Sequence, residues 1–289
     1  MVDFNDLKKP YLIAEIGINH NGDIKLAERL ISATKATGWD CAKFQKRNPD
    51  VCVPEEQKSQ LRQTPWGEMK YIDYKHHVEF GKKDFDRINK YCQLVDVNWT
   101  ASVWDYDSLD FLTDNYEVPF LKIPSAINGS FQFVEDCAKT GIPLVISLGM
   151  SDLKTSDKIV DIVSKHSNGF CIMHTNSAYP SPHEDLQLSL IPFFIDRYNC
   201  TVGYSGHEED LEPTVIAVAL GAQVIERHVT LDHSMWGSDH KSSLEVHAMD
   251  ILTKRISVAT RVMGKPEKKI FNSEEPFIKK LKNDNIHRS

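Results

Sequence analysis

The chain alternates eight times between a short apolar run of strand type and a longer segment with the apolar spacing of an amphipathic helix. The predicted strands are Tyr11–Ile16, Asp40–Gln45, Asn98–Val103, Phe120–Pro124, Pro143–Leu148, Gly169–Thr175, Thr201–His207 and Ala222–Leu231. The predicted helices are Asp23–Thr37, Asp84–Val95, Asp107–Asn115, Phe131–Thr140, Ser156–Lys165, Glu184–Arg197, Leu211–Leu220 and Glu245–Met263. Strands that alternate with helices form parallel sheets, and eight such units predict an α/β fold, the closed (β/α)8 TIM barrel.

An open, doubly wound sheet is the alternative arrangement. No Gly-x-Gly-x-x-Gly turn follows the first strand, which argues against the dinucleotide-binding form of that fold. No change of composition divides residues 1–264, so we predict a single barrel domain there. Residues 265–289 are charged and poor in large apolar side chains, which predicts an arm or linker. The long polar stretch over residues 46–81 is predicted to extend over the mouth of a site.

Charge and cysteine usage exclude some partners and compartments. The 34 Lys and Arg residues against 41 Asp and Glu residues give a net charge of −7, which argues against a nucleic-acid-binding surface but leaves room for a local basic pocket. The six cysteines are scattered without a Cys-x-x-Cys pair, as is typical of a reducing compartment. Neither a signal-peptide core nor an apolar run of membrane-spanning length is present in the sequence. We therefore expect a cytoplasmic protein that binds neither membranes nor nucleic acid.

Polar residues collect at the C-terminal ends of the predicted strands, which surround one mouth in a barrel of this kind. His207 and His228 come from neighbouring strands, so both imidazoles could bind one transition-metal ion. Lys43 and Lys122 lie within apolar runs, where a lysine is difficult to bury without an anionic partner. The other candidates are Glu15, Gln45, Thr100, Ser125, Ser147, Ser177, Tyr179, Ser205 and Glu226, with Asp239 in the loop after the last strand. Together they suit a metal, a phosphate- and carboxylate-bearing anion, and proton transfer.

Some of these residues have a second interpretation. The two histidines could be unrelated surface residues, since their spacing alone is a weak signal. Glu226 shares a strand face with His228 and could orient that imidazole instead of acting as a base. His174 is as compatible with a hydrogen-bonded core residue as with a ligand.

Several motifs strongly resemble those of the sialic acid synthases, the N-acetylneuraminate synthases and their phosphate-substrate relatives. The motifs are Ala14–Asp23, Ala42–Gln45, Ser177–Pro180, Val202–His207, Ile225–Asp232 and Gly237–His240, and the resemblance spans about residues 11–264. It implies a (β/α)8 barrel and a transferase that condenses phosphoenolpyruvate with an N-acylhexosamine or a related sugar aldehyde, with or without a phosphate group. The products would be a nonulosonic acid and free phosphate, released by C–O cleavage.

The resemblance also implies roles for individual residues. A divalent cation, Mn²⁺ or Mg²⁺, would bind His207 and His228 and polarise the aldehyde. The positions that match phosphoenolpyruvate-binding residues are Lys43, Thr100, Lys122, Ser125, Ser147, Ser177 and Ser205. Those that match sugar-binding residues are Glu15, Gln45, Tyr179 and Asp239. The implied catalytic set is Glu15, Lys43, Lys122, Glu226 and Asp239, in which either Glu15 or Glu226 positions the water.

Three departures from the family pattern modify these expectations. Leu148 stands where relatives commonly carry Thr, which removes one hydroxyl, and Thr100–Asp105 reads Thr-Ala-Ser-Val-Trp-Asp where many relatives have Thr-Pro-Phe-Asp. Relatives also continue into a C-terminal antifreeze-like (SAF) domain that crosses to a partner subunit and supplies an arginine to the N-acyl group. The sequence has no room for that domain, which implies that the acyl contact is missing or comes from a separate chain and makes a homo-oligomer uncertain.

Two other functions remain open on the sequence alone. A Schiff-base sugar aldolase would use Lys122 or Lys43 as its nucleophile. A catalytically inactive barrel that binds a sugar or a partner protein would explain the missing domain and Leu148. The retained glutamate, lysines and histidines argue against that second alternative.

Overall fold

Eight parallel strands close into a barrel in the computed structural model, which describes residues 1–283. The strands are β1 (Tyr11–Gly17), β2 (Cys41–Lys46), β3 (Asn98–Val103), β4 (Leu121–Ile123), β5 (Leu144–Ser147), β6 (Phe170–Thr175), β7 (Thr201–Gly206) and β8 (Val224–Thr230). Each strand pairs in parallel with the next, and β8 pairs with β1 to close the sheet. The prediction of a TIM barrel is therefore confirmed.

A helix follows each barrel strand. These helices are α1 (Ile24–Ala36), α2 (Lys82–Val95), α3 (Tyr106–Asn115), α4 (Phe131–Lys139), α5 (Leu153–His166), α6 (Leu190–Tyr198), α7 (Glu212–Ala219) and α8 (Val246–Met263). The side chain of Asp23 caps α1 by accepting a hydrogen bond from the backbone of Lys25 at 2.7 Å, as the sequence predicts. The main hydrophobic core lies between the strands and this ring of helices.

Alternation along each strand decides which residues reach the barrel interior. In β1, Leu12, Ala14 and Ile16 pack in the core against the helices, whereas Tyr11 and Ile13 belong to a separate apolar cluster inside the barrel. That interior cluster fills the N-terminal end of the barrel and includes Phe4, Cys41, Phe120, Val145, Cys171, Met173 and Val224. Residues that share the inward face but lie further along their strands, such as Glu15, therefore project into the barrel at its C-terminal end.

Two segments differ from the sequence prediction. The helix predicted from Glu184 begins at Leu190, because a 3-10 turn at His183–Asp185 and a positive φ of 45° at Gln187 precede it. The stretch predicted as polar excursion contains short helices at Pro49–Cys52 and Glu55–Lys58, an antiparallel hairpin of Leu61–Thr64 with Gly67–Lys70, and a helix at Tyr71–Val78. Trp66 and Tyr74 of this excursion pack edge-on against Trp236, which lies in the loop after β8, with ring centroids 5.9 and 5.2 Å away.

The end of the described chain is exposed. After α8, residues 264–274 form irregular and turn structure, and Glu275–Leu281 is a short helix with no buried residue. The division into a barrel over 1–264 and an arm over 265–289 remains a prediction, and residues 284–289 of that arm lie outside the described residues. No helix formed by residues 1–283 is both long enough and apolar enough to cross a bilayer.

Gly203 of β7 offers a test of the barrel packing. A Cβ at this position would collide with the Met173 thioether and lie 2.5 Å from the Val224 carbonyl oxygen, which belongs to the neighbouring strand. We expect Gly203→Ala to lower the free energy of unfolding by about 1–3 kcal/mol, because overpacking forces the strands apart. Urea unfolding followed by circular dichroism measures this change. Gly129→Ala is the matched control, since a Cβ there meets no atom within 4 Å, and equal effects of the two substitutions would contradict the prediction.

Candidate active site

The C-terminal ends of the strands surround a cavity of about 150 Å³ with a charged and polar lining. Its polar and aromatic lining residues are Glu15, Lys43, Gln45, Ser102, Trp104, Lys122, Ser125, Ser147, Ser177, Tyr179, Ser205, His207, Glu226 and His228. Of the residues proposed from the sequence, only Thr100 and Asp239 are absent from this lining. The barrel thus brings together side chains that are up to about 200 positions apart in the sequence, as expected when parallel strands end at one mouth.

Two lysines and two glutamates alternate inside the cavity. Lys43 Nζ lies 2.6 Å from Glu15 Oε2 and 3.6 Å from Glu226 Oε1. Lys122 Nζ lies 3.4 Å from the same oxygen of Glu226. All four side chains are buried, so each charge depends on its neighbours for compensation.

These contacts shift the pKa values in different directions. Burial disfavours the charged form of Lys43, but Glu15 and Glu226 outweigh burial and raise its pKa. Burial is the stronger effect at Lys122 and lowers its pKa despite the attraction of Glu226. Burial alone would raise the pKa of Glu226, but Lys122 and Lys43 hold it well below its usual range. Glu226 is therefore a fixed negative charge between two ammonium groups.

Serine hydroxyls complete the surroundings of both lysines. Lys43 Nζ donates to Ser102 Oγ and Lys122 Nζ donates to Ser147 Oγ, each at 2.8 Å. The resemblance implies that Thr100 is a phosphoenolpyruvate ligand. Thr100 lies two residues before Ser102 on the same strand face, and its hydroxyl donates to the Phe120 carbonyl oxygen at 2.6 Å. Ser102 instead of Thr100 thus lines the cavity, and alternation along the strand does not distinguish the two residues.

A glycine brings the chain close to two further hydroxyls. A Cβ at Gly149 would lie 2.5 Å from Ser177 Oγ and 2.7 Å from Ser125 Oγ. Only a residue without a side chain allows this approach of the loop after β5 to both serines. Leu148, the departure noted above, packs in the hydrophobic core and does not line the cavity beside Ser147.

The two histidines face each other across one side of the cavity, with ring centroids 5.5 Å apart. His207 Nδ1 lies 2.6 Å from the Asn176 carbonyl oxygen, so this nitrogen carries the proton and Nε2 accepts a hydrogen bond from the Tyr179 hydroxyl at 3.0 Å. Burial, reinforced by His228, lowers the pKa of His207 to about 3. His228 Nδ1 is buried and has no hydrogen-bond partner within the described residues.

This donor set fits a transition-metal ion. A neutral imidazole whose other nitrogen is held by a backbone carbonyl is the usual form of a histidine ligand, and a buried ring nitrogen without a partner requires one. Within residues 1–283, no three His, Cys, Asp or Glu side chains group together as a metal site, so His207 and His228 would be joined by ligands from substrate or water. Asp239 Oδ2 lies 3.8 Å from His228 Nδ1 and sits outside the cavity lining.

His174 belongs to the core. Its Nε2 lies 2.6 Å from the Leu186 carbonyl oxygen, and burial lowers its pKa, so the ring is a neutral, hydrogen-bonded residue between β6 and the turn before α6. Trp104 is a cavity residue that the sequence analysis did not single out, although it occupies the departure Thr100–Asp105. Its side chain lines the cavity, and a mouth reshaped relative to that of the relatives remains a prediction.

Comparison with known proteins assigns the chain to a family, since residues 30–268 match the model that describes the NeuB family. This chain belongs to the NeuB family. It is 37% identical over 274 residues to N-acetylneuraminate-9-phosphate synthase of Mus musculus, covering 94% of this chain and 76% of that protein. It is 33% identical to N,N'-diacetyllegionaminic acid synthase of Legionella pneumophila, covering 92% and 77% of the two chains.

Solved structures of the NeuB type have the same fold. The crystal structure of N-acetylneuraminic acid (sialic acid) synthetase from Leptospira borgpetersenii in complex with citrate matches with a TM-score of 0.86 and 28% identity, covering 94% of this chain and 91% of that one. The resemblance to sialic acid synthases predicted from the motifs is therefore confirmed, and the chain is an enzyme of the NeuB synthase class.

Proposed function

We propose that this NeuB-family enzyme condenses phosphoenolpyruvate with an N-acylhexosamine or a related sugar aldehyde to give a nonulosonic acid and phosphate. The buried pair Lys43 and Lys122 is the observation that carries the proposal, because two ammonium groups with serine hydroxyls around them suit one small, highly charged anion. The synthase names of the relatives support the same reaction class.

Phosphoenolpyruvate would bind between the lysines. Its phosphate and carboxylate would accept hydrogen bonds from Lys43 and Lys122, and the hydroxyls of Ser125, Ser147 and Ser177 would orient them. Ser205 donates to Glu226 Oε1 at 3.2 Å and holds that carboxylate in place. Because these groups are fixed before the substrate arrives, they stabilise developing charge without reorganisation. Thr100 would stabilise the barrel at a deeper position through its hydrogen bond to Phe120 and would not contact the substrate.

The acceptor sugar would bind beside the histidines. A divalent cation, Mn²⁺ or Mg²⁺, bound to ring nitrogens of His207 and His228 would supply Lewis-acid polarisation of the aldehyde oxygen. Tyr179, whose hydroxyl contacts His207, and Gln45, which donates to Glu15 Oε1 at 3.1 Å, would hydrogen-bond the sugar hydroxyls. Asp239 would bind the end of the sugar that is nearer the mouth.

The proposed reaction involves the following bond changes. Carbon 3 of phosphoenolpyruvate attacks the aldehyde carbon, water adds at carbon 2, and the resulting tetrahedral intermediate releases phosphate by C–O cleavage. We assign the orientation of the water to Glu15, because Glu226 is held between both lysines and its proton affinity is low. Lys43, which contacts Glu15 at 2.6 Å, would stabilise the carboxylate of the substrate as the charge redistributes.

Phosphate release from phosphoenolpyruvate, measured with Mn²⁺ across a panel of sugar aldehydes, tests the proposal. We expect release that requires both sugar and metal and that falls at least about 100-fold in His207→Ala, because positioned electrophilic groups contribute effects of this size. Binding of Mn²⁺, followed by electron paramagnetic resonance, should weaken in the same variant. His247→Ala is the matched control, since His247 is exposed. Release that is indifferent to sugar, or that is unchanged in His207→Ala, would contradict the proposal.

Several expectations from the sequence stay predictions. They are a cytoplasmic location, a homo-oligomer, and a separate chain that completes the acyl-binding side of the site. Gel filtration with multi-angle light scattering determines the oligomeric state directly.

A further inference from the structure

Three basic side chains from the excursion over residues 46–81 form a cluster at the mouth of the barrel. Arg47, Arg62 and Lys75 make up this group, which we call the rim cluster. Arg47 donates to Gln45 Oε1 and its guanidinium lies 4.8 Å from the Trp104 ring. Because Gln45 and Trp104 both line the catalytic cavity, the rim cluster begins at the edge of that cavity.

Lys75 is the most informative member of the cluster. Its side chain is buried, at 8% exposure, and its Nζ lies 5.1 Å from the ring centroids of both Tyr71 and Tyr74. Among residues 1–283, no carboxylate oxygen lies within 4 Å of this ammonium group. Burial, followed by the repulsion of Arg47, lowers the pKa of Lys75 to about 8. A largely buried lysine that is flanked by aromatic rings and repelled by Arg47 would gain from an anionic ligand at its ammonium group.

The carboxylates nearby do not neutralise the rim cluster. Glu79 already pairs with Lys46 at 2.8 Å and reaches Arg47 only at 3.7 Å. Asp239, the other acidic group that acts on Lys75, also faces His228. With Lys46 included, four cations thus face two carboxylates. The excess of two positive charges matches a phosphate monoester, which carries about −1.5 to −2 at neutral pH.

The position of the cluster relates it to the acceptor sugar. Asp239 acts electrostatically on Tyr179 and His228 on one side and on Lys75 and Arg47 on the other. A sugar whose aldehyde lies beside the histidines would therefore extend past Asp239 toward the rim cluster. Trp66 and Tyr74 pack on Trp236 beside this region, so the excursion that carries the rim cluster is attached to the loop that carries Asp239.

We propose that the rim cluster binds the phosphate group of the acceptor, so that the enzyme uses a phosphorylated hexosamine in preference to the free sugar. The inference rests on the proposed function and adds the class of acceptor to it. Membership of the NeuB family does not decide the question, because the relatives include a synthase named for a 9-phosphate product and another named for a product without phosphate. Arg47 and Lys75 would each donate charge-assisted hydrogen bonds to the phosphate oxygens, and Arg62 would cover the group from the hairpin.

A pair of acceptors that differ only in the phosphate tests this proposal. With N-acetylmannosamine and its 6-phosphate as probes, we expect kcat/KM of the unaltered enzyme to be higher for the phosphate ester. Lys75→Met should lower kcat/KM for the ester about 10- to 100-fold and change it for the free sugar less than about 3-fold, since one charge-assisted hydrogen bond is lost only with the ester. Lys75→Arg should retain most of the activity, and Lys83→Met is the matched control on the exposed surface.

The proposal would be overturned if Lys75→Met lowered kcat/KM equally for both acceptors. It would also be overturned if the unaltered enzyme preferred the free sugar. Calorimetric titration with the 6-phosphate separates it from the proposed function, because binding does not require turnover. We expect binding that weakens about 10-fold or more in Lys75→Met and is absent for the free sugar at the same concentration. Ester binding that is unaffected by Lys75→Met would exclude the rim cluster as the phosphate site. If the unaltered enzyme binds the ester but releases no phosphate from phosphoenolpyruvate, the proposed reaction is contradicted and the role of the rim cluster is not.

Discussion

Lys122→Met is expected to lower kcat/KM for phosphoenolpyruvate by about 100- to 1000-fold, the range observed when one preorganised donor is removed from an active site. Lys122 Nζ donates to Ser147 at 2.8 Å and faces Glu226 at 3.4 Å. Its loss leaves Glu226 with one cation in place of two and deletes one of the two positive charges available to the substrate. Steady-state phosphate release with a saturating acceptor measures the effect, and Lys154→Met, on the surface helix α5, is the control.

The same position separates the synthase from a Schiff-base aldolase. The lowered pKa of Lys122 is compatible with a nucleophilic amine, so the aldolase alternative makes a definite prediction about it. We expect Lys122→Arg to keep part of the activity, because a guanidinium still binds an anion, and borohydride to leave the enzyme active in the presence of substrate. Covalent trapping on Lys122, together with a complete loss of activity in Lys122→Arg, would support the aldolase instead.

The fold and most of the site could be predicted because the residues of barrel strands follow regular patterns. Inward and outward residues alternate along a strand, so Lys43 and Gln45, two positions apart in β2, share one face, and both line the cavity. The ends of parallel strands meet at one mouth, so His207 and His228 were expected to converge, and their rings lie 5.5 Å apart. These are local patterns combined with one topological rule.

The sequence could not predict the relations that depend on distances across the barrel or on the packing of loops. Thr100 and Ser102 share a face of β3, and only the depth of the cavity decides that Ser102 rather than Thr100 contacts Lys43. Lys75 lies on a helix whose own pattern suggests a solvated surface, and its burial arises from the packing of the excursion against the loop after β8. Neither relation has a periodic signal in the chain.

The residues directly beside the two cavity histidines show a further long-range relation. Glu208 follows His207 and Arg227 precedes His228, and both side chains are completely buried. Arg227 Nη1 donates to Glu208 Oε1 at 2.9 Å and to Thr214 Oγ1 at 2.8 Å. This ion pair joins the end of β7 to β8 from the side of the strands opposite to the cavity, next to both histidines in the sequence.

Breaking this pair is expected to have the largest effect on stability. Arg227→Met should lower the free energy of unfolding by about 3–5 kcal/mol, because it leaves the Glu208 carboxylate buried without its cation. The double variant Glu208→Gln with Arg227→Met should recover part of the loss, since no uncompensated charge remains. Urea unfolding measures all of these values. Arg255→Met removes an arginine from an exposed pair with Glu212 and should cost less than about 1 kcal/mol.

The direction of the double-variant result decides between two physical explanations. If the cost of Arg227→Met came mainly from lost packing of its side chain, the second substitution would add to the damage. If it comes from the unpaired charge of Glu208, as the complete burial of both groups indicates, the second substitution must restore stability. We expect the double variant to bind Mn²⁺ more weakly than the unaltered protein even if its stability is restored. The reason is that the strand ends that carry His207 and His228 would no longer be joined through this pair. Restored stability together with unaltered Mn²⁺ binding would limit the pair to a purely structural role.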